Sequence, residues 1–379
     1  MSSAGRSGAE PPIRVDLLSP AFWPEVRRGT ERFVRDLADG LLSRGHHPRL
    51  ITSHPGWPGH SVEDGLPVRR VWRPPAGWLE ARGFEHYMTH WPFSEAVLRR
   101  GDADIAHAVF ATDAIAAARW GRSTGRPTVL SFMGIPDHVG LHCRRLRSRF
   151  TRRAVAECDA TIALSRAAAD AFWRHLGVEV RIIHPGTDLR AFELGQERFE
   201  RPTVFCGAAL DEPRKRVALL ARAFALVRRE LPDARLLLSR PSPGREPTGF
   251  DLPGVELVDV DSREALAEAY QRSWVSALPS FGEAFGLVLI ESLACGTPVV
   301  ASNRDGMREV VDRESVGRLF DGDDELALAR SLLEALELAR DPGTRLACRE
   351  RAEDFSVERT TEAYLDLYAD LLQRERRSD

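Results

Sequence analysis

Short apolar runs alternate with amphipathic helical patterns along almost the whole chain, and this alternation restricts the possible folds more than any other feature. The first run, residues 13–20, is followed by residues 30–45, in which Phe33, Leu37 and Leu41 recur at helical spacing. A second series of the same kind starts with the run at residues 203–208. Strands that alternate with helices form parallel sheets. The chain is therefore predicted to be an α/β protein.

A polar segment that ends in proline, residues 191–202, separates the two series, and we interpret it as a linker between two domains. The predicted parts are a disordered lead-in (1–12), an N-terminal domain (13–190), the linker, a C-terminal domain (203–355) and a C-terminal helix that packs back on the N-terminal domain (356–379). The predicted strands lie at residues 13–20, 49–53, 67–72, 104–109, 128–133, 160–165, 181–185, 203–208, 235–240, 255–260, 274–280 and 298–302.

Composition excludes several classes of protein. The 379 residues carry a formal net charge of −3, whereas a general nucleic-acid binder is usually basic. The sequence contains no stretch of the roughly 18 to 20 apolar residues that span a bilayer, and no apolar signal peptide at its start. Its five cysteines include no C-x-x-C pair, which indicates reduced thiols in a cytoplasmic protein.

The most informative stretch is residues 279–300, where a strand, a glycine-bearing loop, a helix and another strand follow each other. Glu283 lies in the loop, and Glu291 lies about five residues into the helix, roughly 7.5 Å along its axis from the start. Between them, the amide N–H groups of residues 285–288 and the helix dipole form an anion site. A nucleotide-sugar has a matching layout of sugar, diphosphate and ribose. In the alternative interpretation, Glu283 only caps the helix and Glu291 is a solvated surface residue.

The letters E-A-F-G-L-V-L-I-E-S-L-A-C-G-T-P-V-V resemble the E-x7-E signature of the retaining GT-B glycosyltransferases of family 4. Weaker matches to the same family occur at four further sites: Arg28-Gly29-Thr30-Glu31, Ala103-Asp104-Ile105-Ala106-His107, Ile162-Ala163-Leu164-Ser165 and Pro185-Gly186-Thr187-Asp188.

The resemblance implies a GT-B architecture, with two Rossmann-like parallel-sheet domains that face a central cleft. The first domain would bind the acceptor and the second the nucleotide-sugar. The implied reaction is metal-independent, needs no cofactor besides the sugar donor and moves a hexose-type sugar with retention. Glu283 would contact the transferred sugar, Glu291 the ribose, and the N–H groups of Phe285, Gly286, Leu287 and Val288 the sugar and diphosphate.

A second donor contact is expected after the first strand of the C-terminal domain. The family usually places an arginine and a lysine there to bind the diphosphate. Lys215, the only lysine of the chain, occupies the lysine position, but Ala208 stands where the arginine is common. Arg214 or Arg216 is expected to supply the missing charge, and the sequence does not distinguish them; Arg216 is taken as the donor-binding candidate.

On the acceptor side, Gly29 would let the backbone approach the donor phosphates, or would form a simple tight turn. Many relatives carry a histidine near the sugar, and His107 is the residue of this kind that remains here. Met133 is assigned to the acceptor or sugar side. These departures motivate an alternative, a catalytically silent relative that binds a nucleotide-sugar or a partner protein. A nucleotide-sugar 2-epimerase on the same fold is a further alternative.

The acceptor class is left open between a small molecule, a lipid and a glycan. Six arginines at residues 144–153 form either a solvated helix face or a contact for an anionic membrane surface or phosphorylated acceptor. We interpret His86 with His90 as structural or surface residues and Asp102 with Asp104 as a chance match, so no metal site is predicted.

Overall fold

The computed structural model describes residues 11–26, 29–56, 58–85, 87–210, 212–241 and 250–378, without the side chains of residues 377 and 378. The predicted disordered lead-in lies almost entirely outside the described residues. The chain forms two compact units. The first comprises Met1–Phe132, Leu141–Ile162 and Tyr364–Asp379, and the second comprises Met133–Gly140 and Ala163–Ala363. Residues 163–190, assigned to the first domain from the sequence, thus fold with the second unit.

The first half of the chain contains strands β1 (Arg14–Leu18), β2 (His47–His54), β3 (Gly59–Glu63), β4 (Leu66–Trp72), β5 (Ile105–Ala108), β6 (Thr128–Phe132) and β7 (Ala160–Ala163). Its helices are α1 (Gly29–Ser43), α2 (Gly77–Glu80), α3 (Trp91–Leu98), α4 (Ala111–Thr124), α5 (His138–His142) and α6 (Arg147–Glu157).

The second half contains strands β8 (Arg181–Ile182), β9 (Thr203–Cys206), β10 (Arg235–Ser239), β11 (Val255–Val258), β12 (Val275–Leu278), β13 (Val299–Ser302) and β14 (Gly317–Phe320). Its helices are α7 (Arg166–Leu176), α8 (Val217–Glu230), α9 (Arg263–Arg272), α10 (Leu287–Ala294), α11 (Met307–Val310), α12 (Glu325–Leu338), α13 (Gly343–Glu353) and α14 (Val357–Ser378).

In the first unit the strands are ordered β3-β4-β2-β1-β5-β6-β7. Strand β1 pairs in parallel with β2 and β5, and its residues Val15, Leu17 and Leu18 are fully buried. Strand β3 is antiparallel to β4 and was missed from the sequence, because its residues alternate between half-buried and exposed at the sheet edge and form no apolar run.

The second sheet has six strands in the order β11-β10-β9-β12-β13-β14, and all of its pairs are parallel. Counted from β1 and from β9, and leaving out β3 and β8, both sheets have the 3-2-1-4-5-6 order of the doubly wound Rossmann fold. The prediction of two parallel-sheet Rossmann-like domains is confirmed.

Helix α10 lies in the core of the second unit. Its residues Leu289, Ile290 and Leu293 are fully buried, which explains why its sequence is apolar on nearly every side. None of the helices among the described residues is long and apolar enough to cross a bilayer.

Candidate active site

The candidate site lies where the strand order of the second sheet reverses, between β9 and β12. In open α/β sheets the loops at the carboxyl ends of two such strands diverge and leave room for a ligand. The loop after β9 contains a short 3-10 turn, Pro213–Lys215, directly before α8. The loop after β12 leads through Glu283 to α10. The two predicted catalytic residues thus come from neighbouring loops.

Lys215 and Glu283 form an ion pair. The Lys215 ammonium Nζ lies 2.7 Å from the Glu283 carboxylate oxygen Oε2, and the two side chains are only 12% and 17% exposed. The Arg214 guanidinium donates to the same oxygen at 3.2 Å and also pairs with Glu212. A charge that is this well shielded is strongly disfavoured without a partner. Each of the two predicted residues therefore holds the other in place.

Backbone contacts hold the Glu283 loop in its conformation. The N–H of Phe281 donates to the carbonyl of Arg214, and the N–H of Gly282 donates to Oδ2 of Asp305. The N–H of Gly306 donates to the carbonyl of Glu283 at 3.2 Å. A side chain at Gly306 would place its Cβ 2.2 Å from the Ala284 carbonyl oxygen, so only glycine fits here.

Sequence reasoning missed Asp305 and Gly306. The one available signal was a glycine shortly after the strand at residues 298–302. It did not indicate which loop the glycine approaches.

The predicted anion site is built from Gly286 and the start of α10. Gly286 has φ +105°, a conformation that favours glycine, and it precedes the first helical residue, Leu287. Leu287 and Val288 are half-buried in the first helical turn, where backbone N–H groups need acceptors from outside the helix. Glu291 lies on the same helix and is buried.

The structure separates the two arginines that the sequence left as alternatives. Arg214 points to Glu283, whereas the Arg216 guanidinium pairs with Asp323 at 2.8 Å and lies over the Phe320 ring. The Arg216 side chain is 10% exposed, and burial lowers its pKa. Ala208 is buried in the apolar core of the second unit. Arg214 therefore belongs to the Lys215–Glu283 cluster, and the predicted donor contact Arg216 lies beside the β14–α12 loop.

His107 is fully buried in the first unit. Its Nδ1 lies 2.7 Å from the Tyr368 hydroxyl, its Nε2 lies 2.8 Å from the Ser131 hydroxyl, and Ser131 continues the chain to the Tyr364 hydroxyl at 2.7 Å. Burial lowers the pKa of His107 to about 3, so the imidazole is neutral. These contacts attach α14 to the first sheet.

The other predicted residues lie elsewhere. Gly29 is the first residue of α1 and therefore follows the carboxyl end of β1. Met133 packs on the core of the second unit. Arg28 and His86 lie outside the described residues. His90 is buried against Asp113, and Asp102 and Asp104 both bind Arg14, so these side chains have structural partners.

Individual arginines at residues 144–153 differ in their surroundings. Arg147 pairs with Glu85, and Arg153 pairs with Glu157 at 2.9 Å. Arg149 is exposed on α6. Leu146 precedes the helix with φ +67° and is exposed, so the helical face begins at Arg147.

Comparisons with known proteins assign both halves of the chain. Residues 27–191 match the family described as Glycosyltransferase Family 4, and residues 201–338 match the family described as Glycosyl transferases group 1. The chain is similar to a D-inositol 3-phosphate glycosyltransferase of Saccharomonospora viridis, with 34% identity over 243 residues, 57% of this chain and 54% of the relative. The chain spans little more than half the length, 54 to 58%, of the first curated relatives that it matches.

Solved structures resemble the fold over nearly the full length. A sucrose-phosphate synthase from Thermosynechococcus elongatus superposes with a TM-score of 0.79 at 21% identity, over 96% of this chain and 100% of that one. Anabaena HepE, in complex with UDP-glucose, gives a TM-score of 0.72 at 16% identity, over 95% and 100%. Because the two family matches together span most of the chain and both sheets have the expected topology, the chain belongs to glycosyltransferase family 4 and has the GT-B fold.

Proposed function

We propose that this protein transfers a hexose-type sugar from a nucleotide-diphosphate donor to an acceptor hydroxyl, with retention of configuration and without a metal. The observation that carries the proposal is the Lys215–Glu283 pair at the point where the strand order reverses, beside the first turn of α10. Ligands of doubly wound sheets bind at this position.

Donor binding would exchange the partners of this ion pair. A diphosphate brings negative charge to Lys215 and Arg214, and it replaces the Glu283 carboxylate as their counterion. Glu283 is then free to accept hydrogen bonds from sugar hydroxyls, which are strong when the acceptor is ionised. The N–H groups of residues 285–288 hold the diphosphate, as helix N-termini commonly do. Glu291, further along α10, takes the ribose hydroxyls.

The protein contributes mainly positioning and charge stabilisation. As the bond between the sugar and the diphosphate breaks, negative charge grows on the leaving diphosphate, and Lys215, Arg214 and the α10 N-terminus stabilise it. A leaving phosphate oxygen on the same face accepts the proton of the acceptor hydroxyl, which attacks from that face and retains the configuration. The protein's cations take the role that a metal has in other transferases.

The acceptor is a small molecule, a lipid or a glycan bound mainly by the first unit. Arg149 offers an exposed positive charge, and Leu146 an exposed apolar side chain, to an anionic membrane surface or a phosphorylated acceptor. The D-inositol 3-phosphate named for the Saccharomonospora viridis relative is one phosphorylated polyol to include in an acceptor screen.

The test is a screen of UDP-, GDP-, ADP- and TDP-sugars for nucleotide release and for glycosylated product, with and without acceptors. We expect release that depends on an acceptor and is lost in Glu283→Gln, which keeps the size of the side chain but removes its charge. Tight donor binding without turnover would support a silent relative instead. Turnover that needs no acceptor would support the epimerase alternative.

A further inference from the structure

Phe285 lies in the loop between Glu283 and Gly286, and two aromatic rings, those of His184 and Phe355, contact its side chain. The His184 ring is stacked on Phe285, with 5.2 Å between centroids and 26° between planes. The Phe355 ring meets Phe285 edge-on at 5.2 Å and 73°. Phe285 is 2% exposed, so these rings limit its side-chain rotation. The orientation of the Phe285 backbone, the start of the proposed anion site, therefore depends on what holds His184.

Hydrogen bonds fix His184 at its ring and its backbone. Its Nε2 lies 3.1 Å from Oε2 of Glu309, and its carbonyl accepts from the Thr360 hydroxyl at 2.9 Å. Glu309 also accepts from the N–H groups of Arg166 and Ala167, at 2.9 and 3.1 Å. Burial acts to raise the pKa of Glu309, but the bonds from His184 and the two amides outweigh it and lower that pKa. Glu309 is thus a charged and well-anchored partner.

The partial exposure of His184 indicates that its hydrogen bonds serve to orient its ring rather than to bury it. A residue that serves only stability is usually buried, yet 40% of the His184 side chain is exposed. Its Nδ1 has no hydrogen-bond partner within the described part of the chain. Burial of apolar area is therefore a small part of its role. A fixed ring orientation against Phe285 is what the Glu309 and Thr360 bonds provide.

We propose that His184 is a positioning residue for donor binding, held by Glu309 and acting through Phe285. The proposal rests on the proposed function, because it assumes that the N–H groups of residues 285–288 hold a diphosphate. Such N–H groups bind well only when their positions are held within about 0.5 Å and their orientations within about 20°. Without the His184 ring, Phe285 gains rotational freedom and the loop loses this definition.

The expected signature is a selective loss of donor affinity. The dissociation constant of a nucleoside diphosphate and the KM for the donor should rise together, by about tenfold, because both measure the same backbone contacts. The KM for the acceptor should not change. A residue with a purely structural role would lower the unfolding midpoint and leave these constants equal to those of the wild type.

The experiment measures binding of UDP, GDP, ADP and TDP by calorimetry and follows the tightest of the four. We compare His184→Ala, His184→Phe and His184→Asn, with His175→Ala on α7 as the matched control. His184→Ala and His184→Asn should each weaken binding about tenfold. His184→Phe keeps a ring against Phe285 but lacks the bond to Glu309, so it should weaken binding only about threefold. His175→Ala should bind like the wild type.

Two results overturn the inference. One is a His184→Ala variant with a lower unfolding midpoint but unchanged nucleotide affinity. The other is rescue by His184→Asn and not by His184→Phe, which would mean that the ring stack is irrelevant. Lys215→Ala separates this failure from failure of the proposed function. If Lys215→Ala loses affinity and His184→Ala does not, only the role of His184 is wrong. If the wild type binds none of the four nucleotides, both proposals are wrong.

Discussion

The two sheets share one strand order, but the polar residues near their reversal points differ: one sheet has a buried neutral histidine, and the other has a charged pair in the adjoining loops. In the first unit, β5 beside β1 carries His107, a neutral imidazole in a fully buried chain of hydroxyl partners. In the second unit, the loops after β9 and β12 carry a charged pair that remains in contact with solvent. Topology gives both units the same kind of location, and the charged, partly exposed pair is the reason why we propose a binding site only in the second.

The largest effect that tests this difference is expected at Lys215. Replacing Lys215 by alanine removes the charge that we propose stabilises the leaving diphosphate, and it should lower turnover by about 10² to 10³. The matched control is Arg222→Ala, which breaks an exposed ion pair with Glu325 in the same unit and should leave turnover unchanged. Steady-state rates of nucleotide release measure both. Equal rates for Lys215→Ala and the control would remove Lys215 from the proposed mechanism.

His107→Ala should lower the stability of the protein and leave donor binding unchanged. It leaves the Tyr368 and Ser131 hydroxyls without their partner and opens a cavity, which should lower the free energy of unfolding by about 3 kcal/mol. Urea unfolding gives this value, and calorimetry should show an unchanged nucleotide affinity. A variant that is fully stable but no longer binds nucleotide would contradict the structural role of His107.

The pH dependence of stability offers a smaller test of the same buried histidine. The pKa of His107 is about 3 in the folded protein and 6.5 for an unperturbed histidine in the unfolded chain. The unfolded chain therefore takes up the proton first as the pH falls. The contribution of His107 is therefore constant above pH 6.5 and falls by about 1.4 kcal/mol per pH unit between pH 6.5 and about pH 3.

His107→Gln has no titrating group at this position and serves as the reference. Between pH 7.5 and pH 5, the wild type should lose about 2 kcal/mol more unfolding free energy than the variant. Parallel losses in the two proteins would show that His107 titrates normally in the folded state.

The smallest expected effect distinguishes the two arginines beside Lys215. Arg214 shares the Glu283 carboxylate but is 41% exposed, so Arg214→Ala should raise the donor KM only about fivefold, roughly 1 kcal/mol. The Arg216 guanidinium already forms an ion pair with Asp323, so Arg216→Ala should change the donor KM less than Arg214→Ala does. Donor saturation curves for the two variants show which arginine affects the donor KM more. A larger effect at Arg216 would mean that its pair with Asp323 opens when the donor binds.

Local features of the site were readable from the sequence. The pattern of Glu283, Gly286 and Glu291 lies within nine residues, and helical spacing relates its parts without knowledge of any distant contact. The family resemblance also predicted the position of Lys215, which lies in the loop between β9 and α8. The same holds for most strands, whose apolar runs are buried on both faces.

Contacts between distant segments were not readable. Nothing near Arg216 indicates that its guanidinium meets Asp323 in a loop after another strand, and nothing near His184 indicates Glu309. His107 was considered for the acceptor side because its strand resembles a family pattern. Its burial depends on Tyr364 and Tyr368, which are distant in the chain.

Periodicity and short motifs thus sufficed to identify two Rossmann-like halves and a carboxylate pair that flanks a helix N-terminus, because these properties arise from neighbouring residues and regular backbone spacing. The pairing of Lys215 with Glu283, the separate environments of Arg214 and Arg216, and the neutral state of His107 came only from the folded chain. Each of these depends on burial and on a partner that the fold brings in from another loop or helix, and such a partner leaves no mark in the local sequence.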